Sequence, residues 1–222
     1  MKSKVNQSII LISVTIIIFI LASCKKDDDK ISPAPLGCNG VISFNYKGQT
    51  YTTVEIGNQC WMKENLNYET GISWCFENNP SHCDAYGRLY DWETALTVCP
   101  VGWHLPGDNE WKILEKQLGM SQSEADAIEW RGTDEGWKMK STSGWMDNGN
   151  GSNSSNFLAL PGGLRDAYDG FDLINESAVF WTSTEGSVSY SSWCRVLDYE
   201  QKGVFRQNYT KASGFSVRCL KN

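Results

Sequence analysis

Long aliphatic runs and positive charge are both scarce in this chain. Few long aliphatic runs occur after Leu21, which argues against a helical bundle. Lysine and arginine number 20 against 26 aspartate and glutamate residues, and this acidic balance argues against binding to nucleic acid, which selects basic patches. The chain is instead rich in tryptophan and glycine, with ten and twenty copies. That composition is typical of a loop-rich fold with aromatic packing.

The first 23 residues have the organisation of a bacterial signal peptide. Lys2 and Lys4 form a short positive segment, and the stretch 9–21 is apolar apart from Ser13 and Thr15. This stretch is too short to span a bilayer comfortably, since a spanning helix needs roughly 20 apolar residues. It suits the hydrophobic region of a signal peptide, which we therefore predict over residues 1–23.

The segment after the apolar stretch predicts a lipid anchor. Leu21-Ala22-Ser23-Cys24 resembles the lipobox of bacterial lipoproteins, in which small residues precede a cysteine that becomes acylated. The alternative is an ordinary signal peptide with a chance cysteine. We expect lipidation at Cys24, because its position and the small residues before it agree, and the acyl chains would then hold the protein at a membrane.

Residues 24–37 are predicted to be a solvated tether that ends in a proline-stiffened segment. The acidic run Asp27–Asp29 resembles the surface-export signal of Bacteroidetes lipoproteins, and the alternative interpretation is a charged spacer. Removal of Lys2 and Lys4 with the signal peptide leaves 18 basic against 26 acidic residues, a net charge of −8.

Seven cysteines remain for a domain at residues 38–222 once Cys24 is lipidated. In an oxidising compartment most of them should pair. The expected pairs are Cys38–Cys60, Cys75–Cys83 and Cys99–Cys219, which leaves Cys194 free. Six cysteines allow 15 pairings, so other connectivities stay open. A zinc site from Cys75, His82 and Cys83 competes with this interpretation, but it lacks the spacing that structural zinc sites favour. We predict no metal and no cofactor.

Sequence periodicity predicts an α+β fold with helices early in the domain and most strands late. Helices are expected over 91–98, from Asp108 to Gly119, and from Ser121 to Ile128. Region 132–156 shows no apolar period and is predicted to be a long loop. Strands are expected over 49–56, at Trp61-Met62, and over 157–160, 180–184, 193–197, 203–205 and 215–220.

Six sequence blocks together resemble the Fibrobacter succinogenes major paralogous domain, which occurs in exported proteins of Fibrobacter and Bacteroidetes. The resemblance covers about residues 41–222. More loosely, the blocks are similar to the formylglycine-generating-enzyme branch of C-type-lectin-like folds. The blocks are 51–66, 86–95, 99–106 with Glu110-Trp111, 160–165, 180–184 and 214–219.

The resemblance implies a C-type-lectin-like domain with two to three short helices, a small twisted antiparallel sheet, long loops and adjacent termini. The Cys99–Cys219 pair suits that topology, and region 132–156 would be its long loop region. The related generating enzyme uses a closely spaced cysteine pair, which is absent near Cys194, and the calcium-binding motifs of sugar-binding lectins are absent too. No catalytic residue is therefore carried over. Trp103, His104 and Trp111 are expected to be core residues.

The late strands and their loops form the ligand face in C-type-lectin-like folds. In this chain they carry aromatic and arginine side chains, which suit recognition surfaces because aromatic side chains give large contact areas at low entropy cost. The alternative is that these residues only decorate a hydrated sheet. The predicted ligand-binding residues are Trp193, Arg195, Tyr199, Arg206 and Tyr209.

These features predict a lipid-anchored protein of the bacterial cell envelope, in the outer membrane and with an acidic run compatible with surface exposure. Its expected partners are the membrane, through the anchor, and an extracellular carbohydrate or protein. Non-catalytic binding or adhesion is favoured. The alternatives are an exported enzyme that acts on glycans or uses a thiol at Cys194, and a structural protein of the cell envelope.

Labelling of cells with palmitate tests the anchor. The parent chain should take up label, whereas the Cys24→Ala variant should take up none, because the predicted acceptor thiol is gone. Label on the Cys24→Ala variant would show that the anchor has been assigned to the wrong residue.

Overall fold

The computed structural model describes residues 37–222. The predicted signal peptide, Cys24 and the tether up to residue 36 lie outside the described residues. Within residues 37–222, every helix is too short or too polar to cross a bilayer.

The described residues form an α+β fold in which strands outnumber helices. Its helices are α1 (Pro80–Tyr86), α2 (Trp92–Ala95), α3 (Asp108–Gln117), α4 (Gln122–Asp126) and α5 (Glu135–Met139). Its strands are β1 (Ser43–Tyr46), β2 (Gln49–Ile56), β3 (Gln59–Met62), β4 (Ser73–Trp74), β5 (Leu89–Tyr90), β6 (Trp103–His104), β7 (Glu129–Arg131), β8 (Gly162–Arg165), β9 (Phe171–Ile174), β10 (Ser177–Glu185), β11 (Ser191–Asp198), β12 (Val204–Thr210), β13 (Phe215–Ser216) and β14 (Leu220–Lys221).

The strands form two sheets. The first has the order β1-β2-β3-β14-β6, so the last strand of the chain lies between two early ones. The second has the order β4-β5-β13-β10-β11-β12-β7, and the β8–β9 hairpin joins it through β10. Most pairings are antiparallel, but β10 pairs in parallel with β13 and β8. The nine strands of the second sheet make it larger than the small sheet expected from the sequence.

The hydrophobic core lies on both faces of the β10–β11 pair. Alternating side chains of β10 enter two clusters, because successive side chains of a strand point to opposite faces. Val179 and Trp181 lie in the first cluster, and Ala178 and Phe180 lie in the second. Trp181 packs against Phe215 at a ring-centroid distance of 4.1 Å. This double burial explains why β10 is a continuous apolar run in the sequence rather than an alternating one.

Helix α3 begins and packs as its sequence predicts. Glu110 accepts a hydrogen bond from the Gly107 N–H at 2.7 Å and thereby satisfies an unpaired amide of the first turn. Trp111 and Leu114 are buried against the second cluster. Trp103, in contrast, is only half-buried: it packs against the margin of the first cluster and stacks on Phe44 at 4.7 Å, so the prediction that it belongs to the core holds only in part.

Two segments differ from the sequence prediction because tertiary contacts override local pattern. Residues 157–160 form no strand: Leu158 has φ of 56°, and the buried Arg218 guanidinium takes the carbonyls of Phe157 and Leu158 as hydrogen-bond acceptors. Helix α5 lies inside the predicted loop 132–156. It depends on Gly136, because a Cβ there would lie 2.0 Å from the Gly203 carbonyl oxygen.

Three disulfides connect Cys38 to Cys60, Cys75 to Cys83 and Cys99 to Cys219, the pairs expected from the sequence. The third disulfide joins Cys219, just before β14, to Cys99, in the segment before β6, and closes a loop of 120 residues. Because Cys75 and Cys83 are bonded to each other, their sulfurs are not available as zinc ligands, and the competing zinc interpretation was wrong.

The loop lengths predict unequal contributions of two of the disulfides to stability. Replacing Cys99 and Cys219 together by alanine should lower the free energy of unfolding by about 5 kcal/mol, since that bond closes 120 residues. The matched Cys75→Ala, Cys83→Ala variant opens a loop of 8 residues and should lose about 2.5 kcal/mol. Urea unfolding measures both losses. Equal losses would contradict this loop-entropy explanation.

Candidate binding site

The five predicted ligand-binding residues do not share one face. Side-chain alternation places Trp193 and Arg195 on one face of β11, towards α3. Tyr209 pairs with Ser192 across the strands and lies on the opposite face, where it packs edge-on to Phe215. Tyr199 follows the end of β11 and packs against the second cluster. The prediction of a single late-strand ligand face was therefore wrong.

Arg195 is an internal residue rather than a ligand contact. Its side chain has no exposed surface. The Nε–H donates to Glu115 Oε1 at 2.6 Å, and Nη1 lies 2.9 Å from Asp108 Oδ1. Both carboxylates belong to α3, so Arg195 ties this helix to the sheet. A side chain held in this way cannot contact an external ligand.

Arg206 is a second buried cation of the same ion network. It forms a two-pronged pair with Asp108, with Nε 2.8 Å from Oδ1 and Nη2 2.9 Å from Oδ2. Desolvation by burial alone would raise the pKa of Asp108, but the hydrogen bonds and charges of Arg206 and Arg195 outweigh it and hold this pKa well below its ordinary value. Arg131 completes the network by donating to Glu115 at 2.9 Å.

One of the predicted residues, Trp193, remains on a usable surface. Its ring lies over the Arg206 guanidinium at 3.7 Å from the ring centroid. A shallow cavity of about 220 Å³ opens beside it, and Phe205 on this cavity packs against Trp130 at 5.0 Å. By strand alternation Trp193 lies on the α3 face of the sheet, whereas Phe205 and Trp130 lie on the opposite face, and they meet around the sheet edge at this cavity. We call the four apolar side chains around this edge the Trp193 patch. They are Ile128, Trp130, Trp193 and Phe205.

Polar side chains surround the Trp193 patch. Glu129, Gln207 and Asn208 line the same cavity. Ile128, which precedes β7, and Trp130 of β7 were absent from the predicted site. The spacing of Ile128 and Trp130 around the polar Glu129 is the alternation that would have indicated a short strand. The site therefore combines side chains of two predicted late strands with an earlier segment around Ile128, where a helix end was predicted.

Tyr199 lines a different cavity, of about 190 Å³. Trp137 of α5 and Asn148 and Asn150 of the region 132–156 form its other side. Lys140 underlies this cavity and donates to the carbonyls of Asp198 and Gln201 at 2.7 and 3.0 Å. These bonds fix the turn that carries Tyr199.

The thiol of Cys194 is unsuited to catalysis. It is fully buried in the first core cluster, and desolvation raises its pKa to about 12 despite the charge of Arg195. A reactive cysteine needs a lowered pKa and solvent access. The environment of Cys194 therefore does not fit the thiol-enzyme alternative, which rested on this residue.

His104 lies at the surface, contrary to its expected place in the core. Nε2 lies 2.9 Å from Glu110 Oε1 and Nδ1 lies 2.6 Å from Asn222 Oδ1. The hydrogen bond to Glu110 is the main cause of a raised His104 pKa. His104 therefore links Glu110, near the start of α3, to Asn222, the last residue of the sequence.

Residues 54–221 match the sequence pattern of the Fibrobacter succinogenes major domain. The chain belongs to the Fibrobacter succinogenes major domain family. No curated protein and no solved structure matches the chain. The family match contains the whole ion network and the Trp193 patch.

The His104–Glu110 pair of this family member predicts a pH-dependent contribution to stability. Because the folded-state pKa of His104 lies above 6.5, the stabilisation is fully present below that value and is lost as pH rises through the raised pKa. The difference in free energy of unfolding between the parent and His104→Gln should therefore be larger at about pH 5.5 than at about pH 9. Urea unfolding at both values measures it, and a pH-independent difference would contradict the pairing.

Proposed function

We propose that this chain is an exported lipoprotein, anchored through Cys24 in the bacterial outer membrane, whose domain binds an extracellular partner without catalysing a reaction. We also infer a C-type-lectin-like version of the α+β fold. Two features support that inference: β14 lies between β3 and β6, and the Cys99–Cys219 disulfide joins the C-terminal segment to the residues before β6. Long irregular segments between α5 and β8 agree with it.

The exposed Trp193 patch carries the proposal of binding. Ile128 is 60% exposed and Trp130 is 41% exposed, although both are large apolar side chains. Exposing such side chains together in water is unfavourable, and apolar patches with a polar rim mark contact surfaces. Tryptophan and arginine are also the residue types most enriched at binding hot spots.

The shape of the Trp193 patch favours a protein over a small ligand. Its cavity, about 220 Å³, is smaller than the pockets of roughly 300–1,000 Å³ that usually enclose small molecules. Three large apolar side chains, Ile128, Trp193 and Phe205, line this cavity together with polar ones. We therefore propose a protein partner for this surface.

The ion network supports the proposal because it fixes the position of the Trp193 ring. Arg206 lies between that ring and the carboxylate of Asp108 in α3. A second buried cation, Arg195, pairs with the same carboxylate and fixes its position. An interface residue that is already ordered loses little conformational entropy on binding. The stacked ring is thus prepared for contact before the partner arrives.

Alanine variants of the unacylated protein (residues 25–222) test the Trp193 patch. An array of envelope and host surface proteins identifies a partner for the parent. Trp130→Ala should then weaken binding by about 30-fold in Kd, as expected when a hot-spot side chain worth roughly 2 kcal/mol is removed. Its melting temperature should stay close to that of the parent, since Trp130 is 41% exposed.

Two control variants separate binding from folding. Tyr168→Ala removes an aromatic side chain that is 93% exposed and not part of the patch, and it should bind as the parent does. Arg195→Ala should instead lose roughly 3–5 kcal/mol of stability, because it leaves buried carboxylates without their counter-ion. Unchanged binding by Trp130→Ala would exclude the patch as the contact surface.

A further inference from the structure

We propose that a second site, a polar groove beside the Cys75–Cys83 disulfide, binds an uncharged oligosaccharide. We call it the Cys75 groove. Its main cavity is about 410 Å³ and adjoins another of about 100 Å³. The two share Gln49, Asn67, Cys83 and Asp84 as lining residues and so form one groove. This volume is in the range of small-molecule sites, unlike that of the Trp193 patch.

The groove contains polar side chains that make no hydrogen bonds within the described part of the protein. Among the described residues, the side chains of Gln49, Asn67, Asn78 and Asp84 make no hydrogen bond to another protein group, whereas the nearby Asn65 donates to the Tyr86 carbonyl at 2.9 Å. Each amide offers both donors and an acceptor, and the carboxylate offers acceptors. Sugar hydroxyls both donate and accept, so they match this mixed set.

An aromatic ring completes the groove. Trp74 lines the main cavity and is half-buried. The Arg165 guanidinium lies 4.1 Å from its ring centroid, and a Cβ at Gly214 would approach the ring to 3.0 Å. The ring is therefore fixed in place. Because Arg165 covers one face of the ring, a sugar would contact the part of Trp74 that lines the cavity, where its C–H groups, which carry partial positive charge, are attracted to the aromatic π-system.

The walls of the groove are rigid. The disulfide joins Cys75, just after β4, to Cys83 of α1. Arg88 lies under it, with Nη1 3.6 Å from each sulfur and Nε donating to Ser73 Oγ at 3.0 Å. Polar groups that are held in place before the ligand arrives lose less entropy on binding.

The net negative charge of the groove disfavours acidic ligands. Glu64, Glu69 and Asp84 lie along it, against the single cation Arg88. Arg88 is already paired with Glu69 at 3.3 Å, so the carboxylate of Asp84 is uncompensated. A ligand with carboxylate or sulfate groups would be repelled at this short range, so among oligosaccharides the groove favours uncharged ones.

Isothermal titration of the unacylated protein (residues 25–222) with defined oligosaccharides tests the proposal. The probes are neutral tetrasaccharides of glucose, xylose, mannose and N-acetylglucosamine, and an acidic tetrasaccharide of galacturonic acid. At least one neutral probe should bind and should change the tryptophan fluorescence, whereas the acidic probe should not bind. Failure of all the neutral probes, or equal binding of the acidic one, would overturn the proposal.

Paired variants locate the binding. Asn67→Ala and Asp84→Ala should each weaken binding of the neutral probe about tenfold, which corresponds to loss of one good polar contact. Their melting temperatures should match that of the parent, because neither side chain has a protein hydrogen-bond partner among the described residues. Trp130→Ala, in the Trp193 patch, should bind the probe as the parent does. Weakening by Trp130→Ala, with no effect of the groove variants, would move the glycan site to the patch.

Discussion

The buried ion network between α3 and the second sheet is the interaction on which this domain most depends. Asp108 and Glu115 project from one face of the helix, and Arg195, Arg206 and Arg131 meet them from three strands. Burying so many charges is expensive unless each is paired. The pairing is nearly complete: within the network, Glu115 Oε2 and Arg131 Nε alone have no hydrogen-bond partner among the described residues.

This network also explains why composition misplaced the ligand face. Arg195 and Arg206 have the residue type of a binding surface, and a strand pattern cannot distinguish an arginine that faces solvent from one that faces a buried carboxylate. Their partners lie far away in the sequence: Glu115 is 80 residues from Arg195, and Asp108 is 98 residues from Arg206. Only the tertiary fold brings these charges together, so no local signal could have identified the pairs.

Local sequence signals were nevertheless sufficient to predict several helices and strands. Strand β2 has the bounds that its alternation predicts, and Ser121 caps α4 with its side chain, as a capping signal requires. Helix α1 was not among the predicted helices, although Asn79-Pro80 is a helix-start signal. The misses at 157–160 and in α5 have a tertiary cause, since both conformations are fixed by distant groups, the Arg218 guanidinium and the Gly203 turn.

Structural and functional residues differ in whether their side chains already have partners inside the domain. Arginine and carboxylate groups that satisfy one another inside the domain stabilise it and cannot recognise a ligand. Trp130 remains exposed, and Asn67 and Asp84 form no side-chain hydrogen bonds among the described residues, so their polarity and aromatic surface are available to a partner. Each lies next to a fixed element: the Trp193–Arg206 stack beside one surface and the Cys75–Cys83 disulfide beside the other. A rigid element next to solvent-accessible side chains that have no partner inside the domain is the condition under which binding costs little entropy.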